Sequence, residues 1–343
     1  MKKKLVALLL VAMLAFGLAA CTTGTDTPPT GGEKDGIKIG ISLPTQREER
    51  WVLDKEAFEK NASETGIEIA IQIADNNATT QQSQCENLIS QGIDVLICAP
   101  HDGDAAVNIV EMAHEAGIPV IAYDRPIMTP DLDLYVTFDQ YEIGKLMGQY
   151  MVEHLESGNI VFLKGDPGDP TCVPLAQGAK DAIQAKVDSG DYVIVMEQDV
   201  KDWDPVNALK IMENALTAND NNIQGVIAPN DGTAGAVVEA LAAQGMADGS
   251  VIVTGQDSEV DAIKRIIEGT QSMTVFFDVR DLAGAAFGAA VTMANGQAVR
   301  DDGIYEEDGI SFPQLVFPPA QVTIDNYKEL LLDSGYMDPK DLD

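Results

Sequence analysis

Residues Val95–Tyr123 read VLICAPHDGDAAVNIVEMAHEAGIPVIAY. Val95–Ala99 is a nearly continuous apolar run, the pattern of a strand buried on both faces. Ala105–Ala116 follows as an amphipathic helix, closed by Gly117, and Pro119–Tyr123 is the next apolar run. Strand, helix and strand in this order make a βα repeat, which builds a parallel sheet with helices on both sides.

Upstream, Lys38–Leu43 reads as a strand, followed by a helix running through Ala57 and Phe58 to Thr65. Ile67–Ala74 is the next strand, and Thr79–Gln91 a helix capped by Asn77 or Thr79. Downstream the pattern restarts. Helices are predicted at Gln140–Leu155, Leu175–Ser189, Pro205–Ala218, Gly232–Gln244 and Glu259–Ile267. Strands are predicted at Asn159–Lys164, Tyr192–Met196, Val226–Pro229, Val251–Thr254 and Met273–Val275. The second series is long enough for its own core, so the fold class is α/β, with two doubly wound parallel-sheet lobes and a cleft between them. Ligands of such sheets bind at the carboxyl ends of the strands. The loops there are Leu43–Trp51, Ala99–Gly103, Tyr123–Ile127, Gly165–Cys172, Pro229–Gly232 and Gly255–Ser258.

The first residues speak to the compartment. Lys2–Lys4 is basic, Leu5–Leu18 is almost wholly apolar, and Leu18-Ala19-Ala20-Cys21 follows. This reads as a secretory leader over 1–20, too short to span a bilayer comfortably. The tetrad resembles a bacterial lipobox, which makes Cys21 a lipidated first residue on the outer side of the cell membrane, at the cell surface or in a periplasm. Thr22–Asp35 holds Thr, Gly and Pro and no large apolar residue, so it is expected to be a flexible tether.

The chain carries 22 Lys and Arg against 55 Asp and Glu, a formal net charge of −33. Such a surface repels phosphate backbones and anionic lipid, so nucleic acid is a poor partner and the acyl group is the expected membrane contact. No GxGxxG follows a strand, and no GxxxxGK[ST], HExxH or GxSxG is present. Neither an enzyme nor a cofactor is expected. Of the three His, His114 and His154 fall on helical patterns as surface residues, and His101 ends a strand where it could face the cleft. No Cys/His cluster suggests a metal. Cys85 lies in a helical pattern, Cys98 in a strand and Cys172 in a loop. Cys85 and Cys98 could pair in an oxidising compartment, or remain buried thiols.

The loops carry a resemblance. Arg47-Glu48-Glu49-Arg50-Trp51, Ala122-Tyr123-Asp124-Arg125, Thr137-Phe138-Asp139, the run Asn207–Thr217, Asn230–Gly235, Gly255-Gln256-Asp257, Ile263-Lys264-Arg265 and Gly269–Val275 resemble the D-xylose-binding proteins of ABC transporters. The resemblance covers about Ile37 to Asp333. It implies two lobes joined by three crossing segments, near Phe138–Asp139, Asp278–Val279 and Phe312–Phe317. The amino-terminal lobe would then be 37–138 plus about 279–312, taking a late helix around Leu282–Asn295. The carboxyl-terminal lobe would be 139–278 plus about 313–343. It also implies capture of a monosaccharide (D-xylose or a related pentose or hexose) by a monomer and delivery to permease and ATPase subunits. The alternative is a sensor that presents sugar to a receptor.

The chemistry of a sugar fits beside this. A sugar ring has a hydroxyl rim and two C–H faces, so its site needs aromatic plates and planar polar groups. Trp51 and Trp203, the only two Trp, fall in cleft loops and are read as the plates. Arg50 and Arg125 supply donor forks, Asp124 and Asp257 acceptors, and Asn230 one of each. The plainer alternatives are core anchors, surface ion pairs or turn residues, and Asp231 is read as the cap of the helix from Gly232. Two positions depart from the family. Thr171 stands where it has Asn, with Pro170 before it, and Phe277 where it has Lys. Both bear on which sugar fits.

Overall fold

Val95, Leu96, Ile97 and Cys98 are all buried, Val95 and Ile97 in one core and Leu96 and Cys98 in another. Side chains alternate across a strand, so a run apolar at every position needs cover on both faces. The computed structural model describes residues 36–307 and 309–343; the leader, Cys21 and the tether from Thr22 to Asp35 lie outside the described residues.

The first half contains β1 (Lys38–Leu43), α1 (Glu49–Thr65), β2 (Glu68–Ile73), α2 (Ala78–Ser90), β3 (Val95–Cys98), α3 (Val107–Glu115), β4 (Val120–Tyr123) and β5 (Leu134–Phe138). The second contains α4 (Gln140–His154), β6 (Gly158–Lys164), α5 (Cys172–Ser189), β7 (Tyr192–Asp199), α6 (Pro205–Ala218), β8 (Gly225–Ile227), α7 (Asp231–Ala243), β9 (Ile252–Val253), α8 (Val260–Glu268) and β10 (Thr274–Phe276). Then come α9 (Val279–Ala294), β11 (Gly303–Glu307), β12 (Ile310–Phe317) and β13 (Ala320–Val322). Lys38–Leu43 and Pro205–Ala218 fall where the pattern put them, and most other elements move by a few residues at one end. Cys172 opens α5 instead of lying in a loop. Strands β5, β11, β12 and β13 were not expected.

Two large sheets carry the architecture. The first has the order β11-β12-β5-β4-β3-β1-β2, parallel except for β11. Helices α1 and α9 share a core on one face, and α2 and α3 share one on the other. The second is parallel throughout, order β7-β6-β8-β9. On its faces α4 and α5 join one core and α6 and α7 another. Strands β10 and β13 form an antiparallel pair beside it.

The α4–α5 contact is unusually close. A methyl group at Gly144 would collide with the Leu175 carbonyl, one at Gly178 with the Tyr141 carbonyl, and one at Gly148 with the Ala179 carbonyl. Only glycine lets the two backbones approach this far.

The chain crosses between the sheets three times, and a phenylalanine stands at each departure. Phe138 ends β5, Phe277 follows β10 and Phe317 ends β12. Phe138 stacks on Phe277 with ring centroids 4.4 Å apart and meets Phe317 edge-on at 6.4 Å. The residue after each of the first two caps the next helix: Asp139 accepts from Glu142 N–H at 2.9 Å and Asp278 from Arg280 N–H at 3.0 Å. The third crossing differs from expectation. Residues Gln314–Phe317 stay paired with Tyr135–Phe138 of β5, so the first sheet keeps the chain past the expected boundary near 312. The ladder stops at Pro318-Pro319, which have no N–H to donate.

Candidate functional site

The carboxyl ends of β1, β4, β6, β7, β8, β9 and β10 converge on one cavity. All nine candidate residues line it: Arg50, Trp51, Asp124, Arg125, Thr171, Trp203, Asn230, Asp257 and Phe277. Four further residues join them, Glu48, Gln140, Asp169 and Gln256.

Arg50 is the hub. It lies in the first turn of α1, held against Asp54 one turn on, with Nη2 and Nε at 3.0 and 3.2 Å from Oδ2. Its Nη1 donates to Asp124 at 2.8 Å. The guanidinium stands 4.2 Å from the Trp51 ring and 5.3 Å from the Phe277 ring, a cation over two π faces. Burial opposes its charge, but Asp124, Asp54 and Asp257 outweigh that and hold its pKa well above the usual value. Burial pushes Asp54 up to about 6 against the pull of Arg50 and Tyr123. The Tyr123 hydroxyl donates to Asp54 from below, so the hub is braced by groups outside the cavity.

Arg125 bridges the lobes. Its Nε lies 2.7 Å from Asp169 Oδ2, a residue of the β6–α5 loop. The same carboxylate accepts from Trp203 Nε1 at 3.2 Å, and from the Thr171 hydroxyl and amide at 2.6 and 3.0 Å. Thr171 therefore positions Asp169. A methyl group at Gly165 would collide with the Trp203 indole, so the ring rests on bare backbone. Burial raises the pKa of Asp169 against the pull of Arg125 and Thr171.

Asn230, not Asp231, caps α7. Its backbone is extended and its Oδ1 accepts from Thr233 N–H at 3.0 Å, with the Thr233 hydroxyl closing the box. Asn230 Nδ2 is left to face Asp257 at 3.5 Å. Asp231 turns inward and is fully buried, accepting from Gln271 Nε2 and the Thr274 hydroxyl at 2.8 Å each. Burial and the nearby Asp257 raise it to about 7. Asp257 itself is pushed well above the carboxylate range by burial, against Arg50.

A family profile described as a periplasmic binding protein domain matches residues 39–298. The chain belongs to this family. It is 39% identical to the D-xylose-binding periplasmic protein of Escherichia coli (strain K12), over 93% of this chain and 96% of that one. A carbohydrate transporter solute-binding protein from Chloroflexus aurantiacus, solved with D-glucose, superimposes with a TM-score of 0.83 at 34% identity, covering 90% of this chain and 98% of that one. An ABC transporter solute-binding protein from Clostridium phytofermentans, solved with β-D-glucose, gives 0.82 at 32%, covering 89% and 100%. The resemblance read from the loops holds, and this is an extracytoplasmic binding protein, not an enzyme.

The lobes of this periplasmic binding protein meet across the cleft. Glu49 and Glu259, at the starts of α1 and α8, each cap the other's helix: Val260 N–H donates to Glu49 at 3.0 Å and Glu49 N–H to Glu259 at 3.3 Å. Burial, with Asp231 and Glu49 nearby, raises Glu259 to about 8. Arg47 donates to the Asp202 carbonyl, and Gly103 N–H to the Gly168 carbonyl at 3.1 Å. His101 stands outside the cavity, 4.0 Å from Asp202 across the rim. His114 and His154 sit on the surface, bonded to Asp133 and the Tyr150 carbonyl. Cys85, Cys98 and Cys172 are buried free thiols. Among the described residues no His, Cys, Asp and Glu group is arranged to hold a metal, and no helix is long and apolar enough to cross a membrane.

Proposed function

We propose that this chain is the solute-binding protein of an ABC sugar importer, which captures one monosaccharide between its lobes and delivers it to a permease with its ATPase. The carrying observation is the cavity itself. Two Trp, two buried Arg and the carboxylates of Asp124, Asp169 and Asp257 line one small space at the strand ends. Such a space offers flat apolar walls to C–H faces and mixed donors and acceptors to a hydroxyl rim. One similar protein is named for xylose and two were solved with glucose, so the class spans an aldopentose and an aldohexose. The sensing alternative is not favoured. The nine candidate residues read from the sequence are the proposed ligand contacts, the lobes divide at Phe138–Asp139, Phe277–Asp278 and Pro318–Pro319, and Cys21 is the proposed lipid anchor, lost in Cys21→Ser together with acyl label. A thermal-shift panel of aldopentoses and aldohexoses tests the reading. A sugar that binds only the folded state should raise the melting temperature, and a panel with no shift, confirmed by calorimetry, removes it.

A further inference from the structure

Glu48 lies where the β1 loop enters α1 and lines the cavity. It is 8% exposed. Its Oε1 is engaged by Arg47, with Nη2 at 2.8 Å and Nε at 3.0 Å. Its Oε2 is buried and accepts no hydrogen bond among the described residues. An unmatched carboxylate oxygen withdrawn from water is costly, more so than a neutral group. The side chain is also fixed in place. Arg47 grips it on one side while donating across the cleft to the Asp202 carbonyl of the other lobe, so Glu48 is locked in place only when the lobes meet. The neighbouring wall shows the same bias, since Gln256 Oε1 is likewise buried without a donor. By contrast, the cavity's strong donors already have partners: Arg50 donates to Asp54 and Asp124, and Arg125 and Trp203 to Asp169.

We infer that Glu48 is a specificity-determining contact of the ligand, its Oε2 accepting a hydrogen bond from one sugar hydroxyl. This rests on the sugar-binding reading above. A carboxylate can only accept, so the position selects a free hydroxyl and rejects a deoxy or O-methyl carbon there. It also disfavours an acidic sugar, whose carboxylate would face that of Glu48.

The test is calorimetry on the purified full chain with whichever of D-glucose and D-xylose binds the tighter, and with its monodeoxy and mono-O-methyl derivatives. In the wild type, one position should cost about ten- to a hundredfold in affinity when its hydroxyl is removed, the range for a hydrogen bond to a charged group. In Glu48→Leu the parent sugar should lose a similar factor, and the derivative altered at that position should lose nothing further. Glu48→Gln, closer in shape and still carrying an acceptor, should shrink the discrimination to a few-fold and decides the matter if the Leu variant unfolds. Wild-type affinity and discrimination in the variants overturn the inference while leaving the sugar site standing. Failure of the wild type to bind either sugar removes the sugar site itself, and the inference with it.

Discussion

Asp124, Trp203 and Asp257 hold left-handed backbone, with φ of 63°, 53° and 98°. Such conformations cost a non-glycine residue about 1–3 kcal/mol each and persist where the surroundings impose them. The strain turns each side chain off the end of its strand and into the cavity, and no pattern of residue types announces it. What was legible was chemistry by position: Arg, Asp, Asn and Trp concentrated in strand-end loops. Asp169 escaped because its role depends on Arg125, distant in sequence, and Glu48 because its neighbours Arg50 and Trp51 drew the reading. Phe277 has a second duty that sequence could not reveal, since it stacks on Phe138 at the crossings. The paired change Phe277→Lys with Thr171→Asn should therefore act twice. It adds donors to the cavity and should shift preference toward xylose, as read by calorimetry over pentoses and hexoses. It also removes an aromatic pair worth about 0.5–1.5 kcal/mol and sets a cation beside Arg50, so the melting temperature without sugar should fall. Unchanged preference across the panel would show that these positions do not select the sugar.

At the scale of elements, the reciprocal capping of α1 and α8 stands out. The first N–H groups of a helix have no partner within it. Glu49 and Glu259 supply these partners to each other's helix, so the bonds exist only while the lobes touch. Glu49→Ala should destabilise the closed form by about 0.5–2 kcal/mol, the usual worth of a cap. Stopped-flow binding should show faster sugar release with little change in association; release at the wild-type rate would mean that the caps do not hold closure. The elements themselves were readable wherever apolar runs alternated with helical patterns, as in Val95–Tyr123. The strands Leu134–Phe138 and Ile310–Phe317 were not, because a long-range partnership makes them strands: each completes a parallel ladder with the other, across most of the second lobe's sequence. The lobe boundary expected near 312 shifts to the end of this ladder for the same reason.

The whole molecule couples its acidity to its stability. Asp54 is raised to about 6, Asp231 to about 7 and Glu259 to about 8, with burial the leading cause in each. The unfolded chain releases these protons near pH 4, so between about pH 4 and 8 the folded state binds more protons than the unfolded one. Stability then falls as pH rises through that window. His101, held below its usual range by burial, works the other way below about pH 6.5, one group against several. Self-repulsion at a net charge of −33 adds to the decline. The melting temperature should be higher at pH 5 than at pH 8 in moderate salt, and a rise toward pH 8 would contradict the assignment of these carboxylates. The same coupling of distant parts is built into the helix pair α4 and α5. Gly144, Gly148 and Gly178 seat one backbone on the other, and α5 begins beside Asp169 and Thr171. One added carbon at a glycine buried under the second sheet would tilt the helix that carries the Asp169 loop. Natural variants of this protein can thus drift in ligand preference while every residue facing the sugar stays the same, and an inventory of cavity residues would miss the change.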